Sequence, residues 1–270
     1  MRQEAYFCTV KELDELGKNN IPRQLISHTH LIYSSPATLA FNSPGAEGFG
    51  VKRAGLAVPD SVMLIVSPGC CGRNTSVLSS MRAYQDRFYY LLMDETDIVT
   101  GRHLKKIPKA VAEICEGLKK KPSVVMICIT CVDALLGTDM ERVCHKAEEY
   151  AGVPVRPCYM YALTREGRKP PMVHVRQSVY SLLEPKKKKG NVVNLLGYFS
   201  PLTDDCELYD LLHGAGVKTI HEISRCKDYA QYQTMSEANF NLVLHPEARF
   251  AAEDFHNRLQ IPFIELRRLY

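Results

Sequence analysis

The sequence predicts an α/β fold in which parallel β-sheets carry flanking helices, and three observations lead there. Eight short runs rich in Val, Ile and Leu punctuate the chain. Segments with apolar residues three and four positions apart fall between them, and the alternation gives β-α-β-α order, which joins parallel strands through helical crossovers. An apolar fraction of 46% over 270 residues supports a sizeable core, and the length suits two domains better than one.

The elements follow in chain order. Runs at 61–66, 87–93, 123–129 and 153–161 lack polar alternation and read as strands buried on both faces, with helices expected over 104–119 and 140–151. Glu184-Pro185, the lysines 186–189 and Gly190 then mark a solvated linker, because Pro ends a helix and like charges repel. Beyond it, strands are expected at 191–198, 218–222, 240–244 and 262–266, with helices over 206–213, 229–238 and 248–259. The expected organisation is therefore an N-terminal domain over 1–188 and a second α/β domain over 189–270. A strand with no covering helix after it makes the second domain read as truncated.

Composition excludes several classes. No apolar run reaches the roughly 18 residues of a membrane helix, and the first residues mix acid and base where a signal peptide needs an apolar block. The expected location is cytoplasmic, without a membrane partner. A net charge of +4, partly from the lysine run, gives no nucleic-acid footprint. No Gly-x-x-x-x-Gly-Lys-Ser/Thr sequence occurs, so no nucleotide is expected on a P-loop of this chain.

Ten cysteines are the informative feature. In a reducing compartment they are packed thiols, metal or cluster ligands, or reactive groups rather than disulfides. Cys8, Cys115, Cys144 and Cys206 lie on helix-like stretches and read as packing. Others stand at carboxyl ends of strands, where parallel sheets gather their ligands. Cys70 and Cys71 follow the first strand in Ser67-Pro68-Gly69-Cys70-Cys71-Gly72, and Cys128 and Cys131 end the third. On a strand a separation of three sends side chains to opposite faces, so Cys131 is the expected ligand and Cys128 the packed residue. A thioredoxin-like thiol pair is the alternative, although that motif opens a helix. Two cysteines are too few for a [4Fe–4S] cluster, which takes four thiolates, so a dimer would have to supply the rest.

Several segments, in order, carry a resemblance. They are Pro68-Gly69-Cys70-Cys71-Gly72, Thr96 to Gly101 (TDIVTG), Ile129 to Glu141 (ITCVDALLGTDME), Val153 to Cys158 (VPVRPC), Asn191 to Tyr198 (NVVNLLGY), Asn241 to Leu244 (NLVL) and Gln260 to Ile264 (QIPFI). Together they resemble the component 1 proteins of nitrogenase and nitrogenase-like reductases across nearly the whole chain. The resemblance implies Rossmann-like domains, a homodimer or paired heterodimer, an iron–sulfur cluster at the subunit interface and a separate ATP-hydrolysing iron protein as electron donor. It makes Cys131 and one of Cys70 and Cys71 the cluster ligands.

Departures from the family pattern shape the rest. The family's first cluster cysteine would fall where this sequence has Asn42 or Ser43, so a [4Fe–4S] cluster with two ligands from each subunit fits better than an eight-iron one, with Ser43 a weak additional candidate. His245 stands where nitrogenase subunits carry the cysteine that anchors the active-site cofactor; an imidazole there could bind metal or act as proton donor. Another cofactor-ligand region of the family would lie beyond Tyr270. Cys158 matches a common family cysteine, and Cys226 ends a second-domain strand near the expected interdomain cleft. His28 and His30 read as surface residues, and Asp139 and Glu141 as helix-start carboxylates.

These readings lead to an oxidoreductase subunit that passes single electrons to a substrate between domains, a cyclic tetrapyrrole being the class that the missing cysteine favours. The alternatives are a non-enzymatic scaffold for iron–sulfur or metallocofactor assembly, and a metal-free small-molecule-binding protein.

Overall fold

The computed structural model describes residues 9–17, 20, 50–69, 79, 82–160 and 169–266. Eight strands among them form two four-stranded sheets, and every pairing is parallel. The first contains β1 (Val62–Ser67), β2 (Phe88–Leu92), β3 (Val125–Ile129) and β4 (Val155–Tyr159) in the order β2-β1-β3-β4. The second contains β5 (Val192–Leu196), β6 (Thr219–His221), β7 (Phe240–Val243) and β8 (Phe263–Glu265) in the order β6-β5-β7-β8. All eight expected strands are present.

Burial on both faces holds for β1, β3 and β5, whose residues are all buried, and fails at the sheet edges. In β2, β6 and β8 the helices cover only part of each face, and Leu92 at the end of β2 is 59% exposed.

Ten α-helices are described: α1 (Val10–Leu16), α2 (Gly50–Gly55), α3 (Glu95–Thr100), α4 (His103–Gly117), α5 (Cys131–Leu136), α6 (Met140–Ala151), α7 (Pro171–Tyr180), α8 (Glu207–Gly214), α9 (Tyr229–Gln233) and α10 (Arg249–Leu259). The spacing of apolar residues predicts α4, α6, α8, α9 and α10; α9 continues as a 3-10 turn over Thr234–Glu237. Four of the others have at most seven residues, too few to show a period. Helix α7 is masked by Pro170-Pro171, which reads as a breaker, although Pro171 occupies the first turn, where no N–H bond is lost. Asp139 caps α6 by accepting from the Arg142 amide, and Gly152 closes it in the left-handed region.

Alternation along the strands divides the first sheet into two faces. Val62, Leu64, Val66, Val125, Ile127 and Ile129 pack under α4 and α6. Met63, Ile65, Met126, Cys128 and Cys158 face α2 and α7. That second core continues without a break into the second sheet through Leu196, Val243, Phe255 and Leu259, and the Tyr180 and Phe255 rings meet at 5.2 Å. Helix α7 thus serves both sheets. A smaller cluster lies beneath α8.

The lysine run lies in irregular chain between α7 and β5. It is tied down more than a solvated linker would be: Lys188 Nζ donates to the Ser236 carbonyl at 2.7 Å, and Lys189 pairs with Glu237. The end of a 3-10 turn leaves carbonyls that attract cations.

Candidate functional site

Chain order sets the first site. From β1 the chain moves outward to β2, then crosses back to place β3 on the other side of β1. The reversal opens a crevice at the carboxyl ends of β1 and β3, the place where open α/β sheets bind ligands. Ser67, Pro68 and Gly69 leave β1 there, and Thr130 and Cys131 leave β3, with Cys131 the first residue of α5. Cys128 lies within β3, as expected, whereas Cys131 stands at the start of α5 and not at the end of the strand, its expected place. Cys70, Cys71, Ser43, Asn42, His28, His30 and Cys8 lie outside the described residues.

Cys128 is fully buried on β3, directly in register with Cys158 on β4. The hydrogen bond shared with Cys128, together with burial, pushes the Cys158 thiol far above its usual range, and Cys158 Sγ also lies 3.5 Å from the Val51 carbonyl oxygen. Lys52, 1% exposed on α2, acts on both thiols in the opposite sense, towards thiolate. Cys144 is a buried thiol on α6, pushed up by desolvation, while Cys115 and Cys206 are half-buried on helix flanks.

An iron–sulfur cluster needs sulfur ligands and hydrogen-bond donors in a protected setting. The described residues fit on the second count. Ser67 Oγ and Thr130 Oγ1 are buried without a hydrogen-bond partner, an arrangement that costs about 1–3 kcal/mol per hydroxyl unless something else accepts. On the opposite face, the buried His103 ring bridges the Asp97 carbonyl at 3.0 Å and Asp133 Oδ1 at 2.9 Å, fixing α5 against α4. The sequence marks this pair only through two polar residues within apolar stretches.

The second sheet repeats the reversal between β5 and β7, whose carboxyl ends carry Gly197-Tyr198 and Leu244-His245. Gly197 has φ +138, and a Cβ there would lie 2.7 Å from the His245 nitrogen, so only glycine lets the two loops close. The His245 ring meets Tyr198 edge-on at 5.8 Å. Its Nδ1 accepts from the Glu247 amide at 3.3 Å and lies 3.7 Å from Glu247 Oε2, and burial lowers its pKa. The Glu247 amide contact leaves Nε2 as the nitrogen free to donate.

Arg176 supports this loop from α7. Its buried guanidinium donates twice to the Gly197 carbonyl, at 3.1 and 2.7 Å, and to Glu247 Oε2 at 2.8 Å. Sequence reasoning missed Arg176. The available signal was a charge on the apolar stripe of Val173, Val179 and Tyr180.

A cavity of about 520 Å³ opens between the two sheets, beside the core they share. It opens at the amino ends of β1 and β2, where Arg53, Asp60, Tyr84 and Arg87 line it, and at the carboxyl ends of β5 and β6, where Phe199, Ser224, Cys226 and Lys227 do. Arg53 donates Nε to Tyr84 Oη at 3.2 Å. Arg87 spends its donors on Leu56, Val58 and Ser61 oxygens, so its charge meets no carboxylate within hydrogen-bonding distance. Asp60 pairs outward with Lys120. Ser224 Oγ is buried and unpartnered, and burial pushes the Cys226 thiol up to about 11, so Cys226 faces the cavity protonated. The expected place of Cys226 near the cleft agrees with this. A groove of about 670 Å³ beside α6 lies at the amino end of β4, away from both crevices.

Comparison with known proteins agrees with this architecture. The chain is 27% identical over 224 residues to the nitrogenase iron-molybdenum cofactor biosynthesis protein NifE of Rhizobium meliloti (strain 1021), covering 80% of this chain and 47% of that protein. To NifE of Klebsiella pneumoniae it is 26% identical, covering 82% of this chain and 53% of the relative. It thus spans about half the length of these relatives. Among solved structures, "Nitrogenase Cp1 at pH 6.5" shares the fold with a TM-score of 0.61 at 18% identity, covering 81% of this chain and 52% of that one. Residues 47–270 match the family described as "Nitrogenase component 1 type Oxidoreductase", and the chain belongs to that family.

Proposed function

We propose that this chain is a cluster-bearing subunit of a nitrogenase-like reductase, working as a homodimer or paired heterodimer with an ATP-hydrolysing iron protein. The observation that carries the reading is the first crevice: Cys131 and the turn leading into Cys70 and Cys71 leave adjacent parallel strands at the point where chain order reverses. Cys131 and one of Cys70 and Cys71 supply two thiolates, and a second subunit supplies two more. A bound [4Fe–4S] cluster there supplies one-electron steps. Ser43, Cys128 and Cys158 are further ligand candidates; the Cys128 and Cys158 thiols share a hydrogen bond inside the core and are assigned to packing.

The substrate is assigned to the cavity between the sheets, roughly 20 Å from the carboxyl end of β1 along its six residues. Arg53, Arg87 and Lys227 outnumber Asp60 on its walls, and Tyr84 and Phe199 offer ring faces. A flat aromatic molecule with carboxylate arms, such as a cyclic tetrapyrrole, matches both features. His245, at the carboxyl end of β7, is assigned as the proton donor, acting from its protonated form, whose acidity burial increases.

A second reading has its own support, since the NifE relatives are named as cofactor biosynthesis proteins. On that reading the chain holds and passes on a metallocluster without turnover. The test is anaerobic assay of the loaded protein with an iron protein, MgATP and a tetrapyrrole, followed optically. Substrate reduction that is lost in Arg53→Ala supports the reductase. Transfer of iron and sulfide to an apo-acceptor without reduction supports the scaffold and overturns it.

A further inference from the structure

The cavity between the sheets is rich in donors and poor in acceptors, and its donors fall into two groups. The first stands on the wall of the first sheet. Arg53 on α2 donates Nε to Tyr84 Oη, in the 3-10 turn before β2, and among the described residues nothing accepts from the Arg53 Nη atoms or takes the Tyr84 hydroxyl proton. Arg87, close to Tyr84, is held by four bonds from Nε and Nη2 to the Leu56, Val58 and Ser61 oxygens, which leaves Nη1 with no acceptor among the described residues. The second group stands after β6, on the wall of the second sheet. Ser224 Oγ is buried without a partner, and the Lys227 ammonium makes no ion pair among the described residues. The Cys226 thiol between them is spent on the Glu222 carbonyl at 3.4 Å. Asp60, the one carboxylate among the described lining residues, pairs outward with Lys120 at 2.8 Å.

Donor counting sets the charge of the ligand. Burial works against the Arg87 cation, and a buried charge held only by neutral oxygens is complementary to an anion. Volume sets the size: about 520 Å³ lies in the range of pockets that enclose drug-sized molecules, so a lone inorganic oxyanion would leave most of it unfilled.

We infer that the cavity selects a ligand carrying at least two acidic groups, one held by Arg53, Tyr84 and Arg87 on the first wall and the other by Ser224 and Lys227 on the second. Acidic oxygens accept charge-assisted bonds from both walls, so the ligand bridges the two sheets. A molecule with one acidic group leaves one set of donors unanswered. The inference rests on the reading of this cavity as the substrate site and deepens it, assigning these side chains to substrate selection.

The experiment is equilibrium binding to the full chain by fluorescence and calorimetry, with two pairs of probes: naphthalene-2,6-dicarboxylate against 2-naphthoate, and coproporphyrin against its tetramethyl ester. Arg53→Gln/Tyr84→Phe removes donors from the first wall and Ser224→Ala/Lys227→Gln from the second. Arg87→Gln is added with its urea midpoint, because the Arg87 bonds also hold the chain between Leu56 and Ser61. The expected result is that the diacid and the porphyrin acid each bind about tenfold tighter than their comparators. Either wall variant brings that ratio to about one. Equal affinities within both pairs overturn the inference, and porphyrin binding in that case leaves the tetrapyrrole reading standing. A ratio kept in both wall variants also overturns it, and a ratio lost in only one of them does so in favour of a single acid-binding wall. Selection of the diacid through both walls, with no porphyrin bound, supports the inference and removes the tetrapyrrole reading. Binding of no probe removes both.

Discussion

Arg176 and Glu247 show how one buried pair holds a site together. Removing one partner of such a pair leaves an uncompensated charge, so Glu247→Ala is expected to cost about 3–5 kcal/mol, read as a lower urea midpoint. A loss below ~1 kcal/mol would mean that Arg176 is satisfied by the Gly197 and Met172 carbonyls alone. Gly197→Ala faces both a disfavoured φ and the His245 backbone, and is expected to cost ~2–3 kcal/mol by the same measurement. The histidines set a pH dependence. Burial lowers the pKa of His221 and His245 below the ordinary 6.5, so the unfolded chain binds more protons as pH falls through that value. Stability present above pH 6.5 is therefore lost progressively below it. Denaturation at pH 7.5 and 5.5 should show this, and His221→Asn should narrow the difference; an unchanged difference assigns the effect elsewhere. At this scale the sequence was half legible. Strand alternation read Cys128 as a packed residue, and it is fully buried, whereas Arg176, Lys52 and the two hydroxyls become notable only through neighbours distant in the chain.

Elements were legible in proportion to length and regularity. The strands stood out because a parallel sheet buried on both faces removes polar alternation, and β1 and β3 are apolar along almost their whole length. Helix α6 has twelve residues, a capping Asp139 and a closing Gly152, each readable locally. Helix α3 has six and depends on a reciprocal cap in which Asp94 accepts from the Asp97 amide and Asp97 from the Asp94 amide. Such short helices are set by caps and packing, not by periodicity. Asp94→Ala is accordingly expected to cost ~1 kcal/mol in thermal or urea unfolding, with hydrogen exchange accelerating over 95–100 first. Uniform exchange across the molecule would contradict a local role. The edge strands were misjudged because coverage by helices, unlike strand propensity, is a property of the whole sheet.

At the scale of the molecule, two sheets share one continuous core through α7. A division at 188/189 describes topology, and we propose that the two units nevertheless unfold together; far-ultraviolet dichroism and tyrosine fluorescence should give one coincident transition, two separated ones counting against this. Both sheets reverse order at their centre, so each presents one crevice, one with Cys131 at its edge and the other with His245. The central claim is that the cysteine crevice holds an iron–sulfur cluster shared between subunits. Its most direct test is iron and acid-labile sulfide analysis of the anaerobically purified chain, wild type against Cys131→Ala and the Cys70→Ala/Cys71→Ala double variant. Iron and sulfide are expected in the wild type and their loss in both variants; a wild type without iron, or variants that keep it, would contradict a shared cluster.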